Sequence, residues 1–362
     1  MKPRRNKSER RHIKSETGKT EYYLKIFVYI CIGTYSYGGF FIMIRTAVFG
    51  YGNLGRGTLR SILSAEDMKA VGVFTRREKA EVYAEGGIEV YPANSILSFE
   101  ADIDVLFICG GSADDLPEYT PKLAEKFNVI DSFDRHPEIK RHFDNVNYAA
   151  LKGKHLALIS AGWDPGIFSA ARAMSKAVFP QSEVFTFWGE GVSQGHSEAV
   201  RRIKGVRDAI QVTVPKEDAV RAAQNGTLSD GDGKKTHTRR CYVASEEGAD
   251  RARIENEIRT MPDYFDGYET EIEFVSETEL NVLFPTMFHG GRVIANACGA
   301  AAAGAELSLT MRSNPDFTGA VLTAYGRAVY RAAKKGRTGA VTVLDIPISD
   351  MLPPSADKSA LI

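Results

Sequence analysis

From Ile44 onward, short apolar runs alternate with helical spacing, and each run stops at glycine, small or acidic residues. Ile44 to Phe49 is an apolar, β-prone run that feeds into Gly50-Tyr51-Gly52-Asn53-Leu54-Gly55, and Arg56 to Ala65 then recur with helical period. The order is strand, glycine turn, helix. A dinucleotide pyrophosphate requires that order: one glycine allows the tight turn, one lets the backbone approach the phosphates, and one lets helix pack on strand. The free N–H groups at the helix start then face the anion.

The next run, Lys69 to Phe74, ends where an NAD enzyme places an acidic residue on the ribose 2′-hydroxyl. Here the chain has Thr75-Arg76-Arg77. Two guanidinium forks and a hydroxyl suit a 2′-phosphate, so NADP is favoured over NAD, the alternative being a solvated strand end. Three more runs follow, 104–109, 128–131 and 155–160. They lead into Cys109-Gly110-Gly111-Ser112, Ser132-Phe133-Asp134 and Ala161-Gly162-Trp163-Asp164-Pro165. Ligands of open parallel sheets bind beyond the carboxyl ends of the strands, so these tails are expected to line one crevice. Asp134 and Asp164 would face the reacting end of the cofactor, or equally cap the turns that follow.

Past Phe168 a helical stretch, 169–177, precedes a run at 184–188 and the loop Gly189 to Ser197, which opens another helix. Trp163 and Trp188 both sit beside glycines at strand ends, which suits an aromatic pocket wall. Gln194 and Gly195, at a helix start, are placed to offer N–H groups to a carboxylate. From Gln211 the period changes to alternation, at 211–214 and 269–275, which predicts an antiparallel sheet bearing a helix over 249–260. A polar loop at 225–235 ends in Thr236-His237-Thr238-Arg239-Arg240, a basic edge that either binds a carboxylate or is merely solvated. His289-Gly290-Gly291-Arg292 and Arg312-Ser313-Asn314-Pro315-Asp316 each read as a loop, and 340–346 as a strand returning to the first sheet.

The expected class is therefore α/β: a Rossmann-type doubly wound parallel sheet over 43–165, rejoined by 335–362, and an α+β domain over 166–334 with a mixed or antiparallel sheet. At 362 residues the chain is long enough for two domains. Lys+Arg and Asp+Glu both total 46, so no global field draws in nucleic acid or anionic membrane. A small-molecule partner is expected instead. Cys31, Cys109, Cys241 and Cys298 lie far apart with no metal-ligand spacing, which points to reduced thiols, a cytoplasmic setting and no metal. Residues 1–42, a basic stretch followed by an aromatic, apolar one, do not fit this pattern. They read as an extension ahead of a working start at Met43, with a signal peptide or anchor as the alternative.

Together GYGNLGRG, TRR, CGGSADDLPE, DSFDRH, SAGWDPGIFS, FWGEGVSQGHSEAVRRI, THTRRC, IENEIRTMPDYFDGYE, HGG and NPDF resemble meso-diaminopimelate dehydrogenase from Met43 to about Ile348. WDPG and FWGxGxSQGHS are the specific strings. The resemblance implies a homodimeric NADP-dependent enzyme that oxidatively deaminates the D-centre of meso-2,6-diaminopimelate to L-2-amino-6-oxopimelate and ammonia, with 166–334 also carrying the dimer contact. It further implies that Asp134 and Asp164 hold the reacting ammonium, that Trp188 shields it, and that Gln194 and Gly195 bind the adjacent carboxylate. Thr213, Arg239, His289 and Asn314 would grip the distant L-centre. Which aspartate is the base stays open. The cofactor fingerprint alone also fits a dihydrodipicolinate reductase-like enzyme or a non-catalytic NADP-binding sensor.

Overall fold

A computed structural model describes residues 43–78, 81–179, 181–297 and 303–362; the reading of 1–42, and Cys31 and Cys298 with it, lies outside them. Strands β1 (Ile44–Phe49), β2 (Met68–Thr75), β3 (Val90–Pro92), β4 (Val105–Ile108), β5 (Val129–Asp131) and β6 (Leu156–Leu158) come first. Helices α1 (Asn53–Ser64), α2 (Asp115–Ala124) and α3 (Ile139–Gly153) connect them, and α4 (Ile167–Val178) leads out. The second half contains β7 (Glu183–Trp188), β8 (Gly191–Val192), α5 (Gln194–Arg201), β9 (Val206–Pro215), α6 (Glu217–Gln224), α7 (Gly233–Thr236) and β10 (His237–Ser245). After these come α8 (Arg251–Arg259), β11 (Glu269–Phe274), α9 (Glu277–Leu283), β12 (His289–Ala297), β13 (Ala303–Met311), α10 (Asn314–Lys334) and β14 (Gly339–Val341).

The first sheet has the order β14-β6-β5-β4-β1-β2-β3, and every pairing is parallel. Its strands are buried on both faces, which is why they read as continuous apolar runs. One face packs Val48, Val73, Phe107 and Leu158 against α1 and α10, through Leu59, Ile62, Leu322, Tyr325 and Val329. The other packs Phe49, Leu106 and Val129 against α2 and α3, through Leu116, Leu123, Val146 and Ala150. The chain runs from β1 outward through β2 to β3 and then crosses back to β4 on the other side of β1, so the switch in strand order lies between the ends of β1 and β4.

The second half carries the expected mixed or antiparallel sheet in its mixed form: in the four-stranded sheet β11-β10-β9-β8, β10 is antiparallel to β9 but parallel to β11, because α8 supplies the crossover that a parallel pair requires. Several other expectations for this half need correction. The basic segment at 236–240 is no edge, since β10 lies between β9 and β11. His289-Gly290-Gly291-Arg292 opens β12, the centre of a three-stranded antiparallel sheet, β13-β12-β7. Asn314 begins a helix instead of sitting in a loop, with Ser313 capping the Asp316 N–H. That helix, α10, already covers the first sheet, so the return begins with it and not at 335. Arg327 fixes it there, donating to both oxygens of buried Asp67 at 2.5 and 2.7 Å. The strand expected at 340–346 ends at Val341 in a 3-10 turn, Val343–Asp345.

Candidate active site

The glycine turn lies at the switch in strand order. A Cβ at Gly55 would meet Gly50 O at 2.1 Å, so only glycine lets α1 start this close to β1, whereas one at Gly52 would meet nothing within 4 Å. Gly52 therefore borders open groove. That groove, about 470 Å³, is lined by Gly50 to Leu54, Thr75, Arg76, Arg77, Cys109, Gly110, Gly111 and Gln194. Arg77 donates to Tyr51 O, and its own N–H donates to Thr75 Oγ1 at 3.2 Å. Arg76 donates to Asp115 Oδ1 at 2.6 Å, and Gly111 N to Oδ2 at 3.0 Å, so the rim holds a cationic fork in place. These residues fit a dinucleotide carrying a 2′-phosphate.

Not every expected cofactor residue turns its side chain to the groove. Cys109 is buried, its thiol 3.5 Å from Thr58 Oγ1 and pushed up to about 12 by burial. Phe133 is buried and stacked on His142, which pairs with buried Asp131 at 2.7 Å. From these positions, and from Ala161, only backbone can reach a ligand. Leu54 packs partly on the core. Asn53 and Gln194 both point Nδ2 and Nε2 at Met287 Sδ, at 3.7 and 3.0 Å, a meeting that no motif announced. Ser112 Oγ accepts the Asp134 N–H at 3.1 Å and joins the ends of β4 and β5.

After β6 the chain turns so tightly that a Cβ at Gly166 would lie 1.7 Å from Gly162 O, with φ +136°. The turn carries Trp163, Asp164 and Pro165. Of the two indoles expected to form a wall, Trp188 is 36% exposed. Trp163 is 8% exposed because Phe168, Val293 and Met311 enclose it. Its Nε1 donates to Asn314 Oδ1 at 3.1 Å, and its ring lies 4.8 Å from that of His289. Asp164 is buried between Arg172 of α4, at 2.6 Å, and the Trp188 indole N–H, at 2.7 Å. Arg172 was not foreseen. Asp134 is exposed, and its carboxylate makes no hydrogen bond or ion pair among the described residues.

The register of the mixed sheet sets Gly191 opposite Thr213 and Thr213 opposite Arg239. Arg239 donates to Thr213 Oγ1 at 2.5 Å and lies over the Tyr268 ring at 4.3 Å. Burial pushes its guanidinium below the ordinary value, with Tyr268 opposing the shift. It has no acidic partner among the described residues, and its Nε and the nearby His196 Nε2 are buried without partners. Burial, then the Arg239 charge, drive His196 down to about 3 and His237 to about 4. Neutral His237 accepts the Trp188 N–H at Nε2, 3.0 Å away, which ties that residue to β10. Gln194 and Gly195 begin α5 and are exposed.

A family described as the diaminopimelic acid dehydrogenase C-terminal domain matches residues 162–313. The chain is 48% identical over 319 residues to the meso-diaminopimelate D-dehydrogenase of Lysinibacillus sphaericus, covering 86% of this chain and 97% of that protein. It matches the crystal structure of Corynebacterium glutamicum DAP dehydrogenase in complex with DAP at a TM-score of 0.82 and 43% identity, over 88% of this chain and 98% of that one. An engineered D-amino acid dehydrogenase bound to NADP+ matches at 0.78 and 41%, over the same shares.

Proposed function

This chain belongs to the meso-diaminopimelate D-dehydrogenase family, and from that premise we propose that it catalyses the reversible NADP-dependent oxidative deamination of the D-centre of meso-2,6-diaminopimelate. The products are L-2-amino-6-oxopimelate, ammonia and NADPH. The observation that carries the reading is a half-buried cation, Arg239 on β10, and an exposed anion, Asp134 beyond the end of β5, each without a counter-charge among the described residues. A long substrate bearing an ammonium at one end and a carboxylate at the other completes both.

In this reading Asp134 and Asp164 hold the reacting ammonium, Trp188 covers it, and the N–H groups of Gln194 and Gly195 take the neighbouring carboxylate. Thr213, Arg239, His289 and Asn314 bind the L-centre. A distal centre of the wrong hand leaves those buried groups unpaired, which costs far more than a lost contact at the surface. The glycine turn, Thr75, Arg76 and Arg77 would hold NADP, whose nicotinamide, when bound, takes the hydride from the α-carbon. The protein's part is to orient that carbon, exclude water and strip the ammonium of a proton first.

The expectation of a cytoplasmic homodimer belongs to this proposal. Its support is the outer edge of β13, which pairs with no strand among the described residues, and the single buried thiols Cys109 and Cys241. No helix of the described residues is long and apolar enough to cross a membrane.

The test is NADPH formation by the full chain with NADP+ or NAD+ and the meso, LL and DD isomers. Turnover of the meso isomer with NADP+ is expected. Tight NADP+ binding with no turnover of any isomer would replace the enzyme by a sensor.

A further inference from the structure

The two aspartates beside the reacting centre are not equivalent. The Asp164 side chain is 1% exposed and already nearly saturated. Its Oδ1 accepts from Arg172 NH2 at 2.6 Å, and its Oδ2 from Arg172 NH1 at 3.3 Å and from Trp188 Nε1 at 2.7 Å. A carboxylate offers about four lone-pair directions, so roughly one remains, on Oδ1. The guanidinium is itself aimed: NH1 also donates to Thr186 Oγ1 on β7 at 3.2 Å, and NH2 to Ser169 Oγ at 3.1 Å. Asp134 has none of this.

We propose that Arg172 is a positioning residue which, with the Trp188 indole, occupies Asp164 as a fixed hydrogen-bond acceptor, so that the proton of the substrate ammonium passes to Asp134. The proposal rests on the reaction read above. A proton on Asp164 would strip the guanidinium of its counter-charge. At three of the four positions it would also face an Arg or Trp donor, neither of which can accept. Asp134 can be protonated without breaking anything. In the step, an N–H bond of the ammonium breaks, an O–H bond forms on Asp134, and the electron pair stays on nitrogen. That pair then supports departure of hydride from the α-carbon to NADP+, the oxidant, and Asp134 passes its proton to water.

The experiment compares Asp134→Asn, Asp164→Asn, Arg172→Met, Arg172→Lys and the double variant R172M/D164N with the wild-type full chain, provided the wild type oxidises the meso isomer. Loss of that wild-type activity would instead refute the reaction itself. A melting temperature within about 4 °C of wild type certifies the fold. Asp134→Asn is expected to lower kcat by ~100-fold or more, the usual worth of a positioned base. Asp164→Asn and Arg172→Met should act chiefly on KM for meso-diaminopimelate, with the double variant no worse than D164N alone, because one residue acts through the other. Arg172→Lys, which keeps the charge and loses the fork, should recover part of the KM and serves if R172M fails to fold. Multiplying defects in the double variant would overturn the role of Arg172. A D134N enzyme that keeps kcat within about tenfold would overturn the proton assignment.

Discussion

Arg239→Met is the sharpest probe of substrate length. The guanidinium is held by Thr213 and Tyr268, is buried enough to be pushed below its ordinary value, and has no acidic partner among the described residues. In the complex it would meet the distal carboxylate as a desolvated, charge-assisted pair, and truncating one member of such a pair costs about 2–5 kcal/mol. At about 1.4 kcal/mol per decade, kcat/KM for meso-diaminopimelate should fall by roughly 30- to 4,000-fold. A simple D-amino acid with an apolar side chain makes no such contact, so its kcat/KM should hold within about threefold or rise, since an unpaired buried cation has gone. Both values come from initial rates of NADPH formation, with the melting temperature as control; it should not drop. A loss below about threefold on the meso isomer, or an equal loss on both substrates, would refute a carboxylate at Arg239.

Arg77→Ala should raise KM for NADP+ by roughly 10- to 150-fold and leave that for NAD+ nearly unchanged, the worth of one hydrogen bond to a charged group; equal effects on both cofactors would remove the 2′-phosphate from the Thr75-Arg76-Arg77 rim. His237, 1% exposed, has its pKa lowered from 6.5 to about 4 by burial. The unfolded chain binds that proton first, so the stability gained by burying a neutral ring is complete above 6.5 and is lost as pH falls toward 4, by about 3 kcal/mol in all. Urea midpoints across that window should fall less steeply for His237→Gln, and parallel slopes would count against the assignment.

Much of the cofactor layer is legible in the sequence, because a buried parallel sheet writes its strands as unbroken apolar runs and its ligand turns as glycine. The second half is harder to read. Gly290 and Gly291 make the start of β12 look like a loop, although Val293, Ile294 and Ala295 behind them are core. The apolar stripe of α10 is interrupted by buried Gly319, Thr323, Gly326 and Arg327, residues chosen for close packing and for Asp67, so its period is blurred. Within the site, Trp188 at the end of β7, Gln194 at the start of α5 and the two aspartates beyond strand ends all fall in motif strings and could be singled out. Arg172 could not, since it is a polar residue within a helix and its partner belongs to the turn before that helix. Tyr268 and Met287 act through contacts formed only when distant segments meet.

The cover of the first sheet by α10 has a consequence for synthesis. Phe107, Ile130 and Leu158 emerge from the ribosome early, but the helix that shields β4, β5 and β6 on this side, α10, begins only at Asn314. At about 5–20 residues per second, that apolar face waits on the order of 10–30 s for its lid. During that interval the nascent chain offers chaperones an open hydrophobic surface, and truncation anywhere before α10 should yield an aggregating fragment instead of a free cofactor domain.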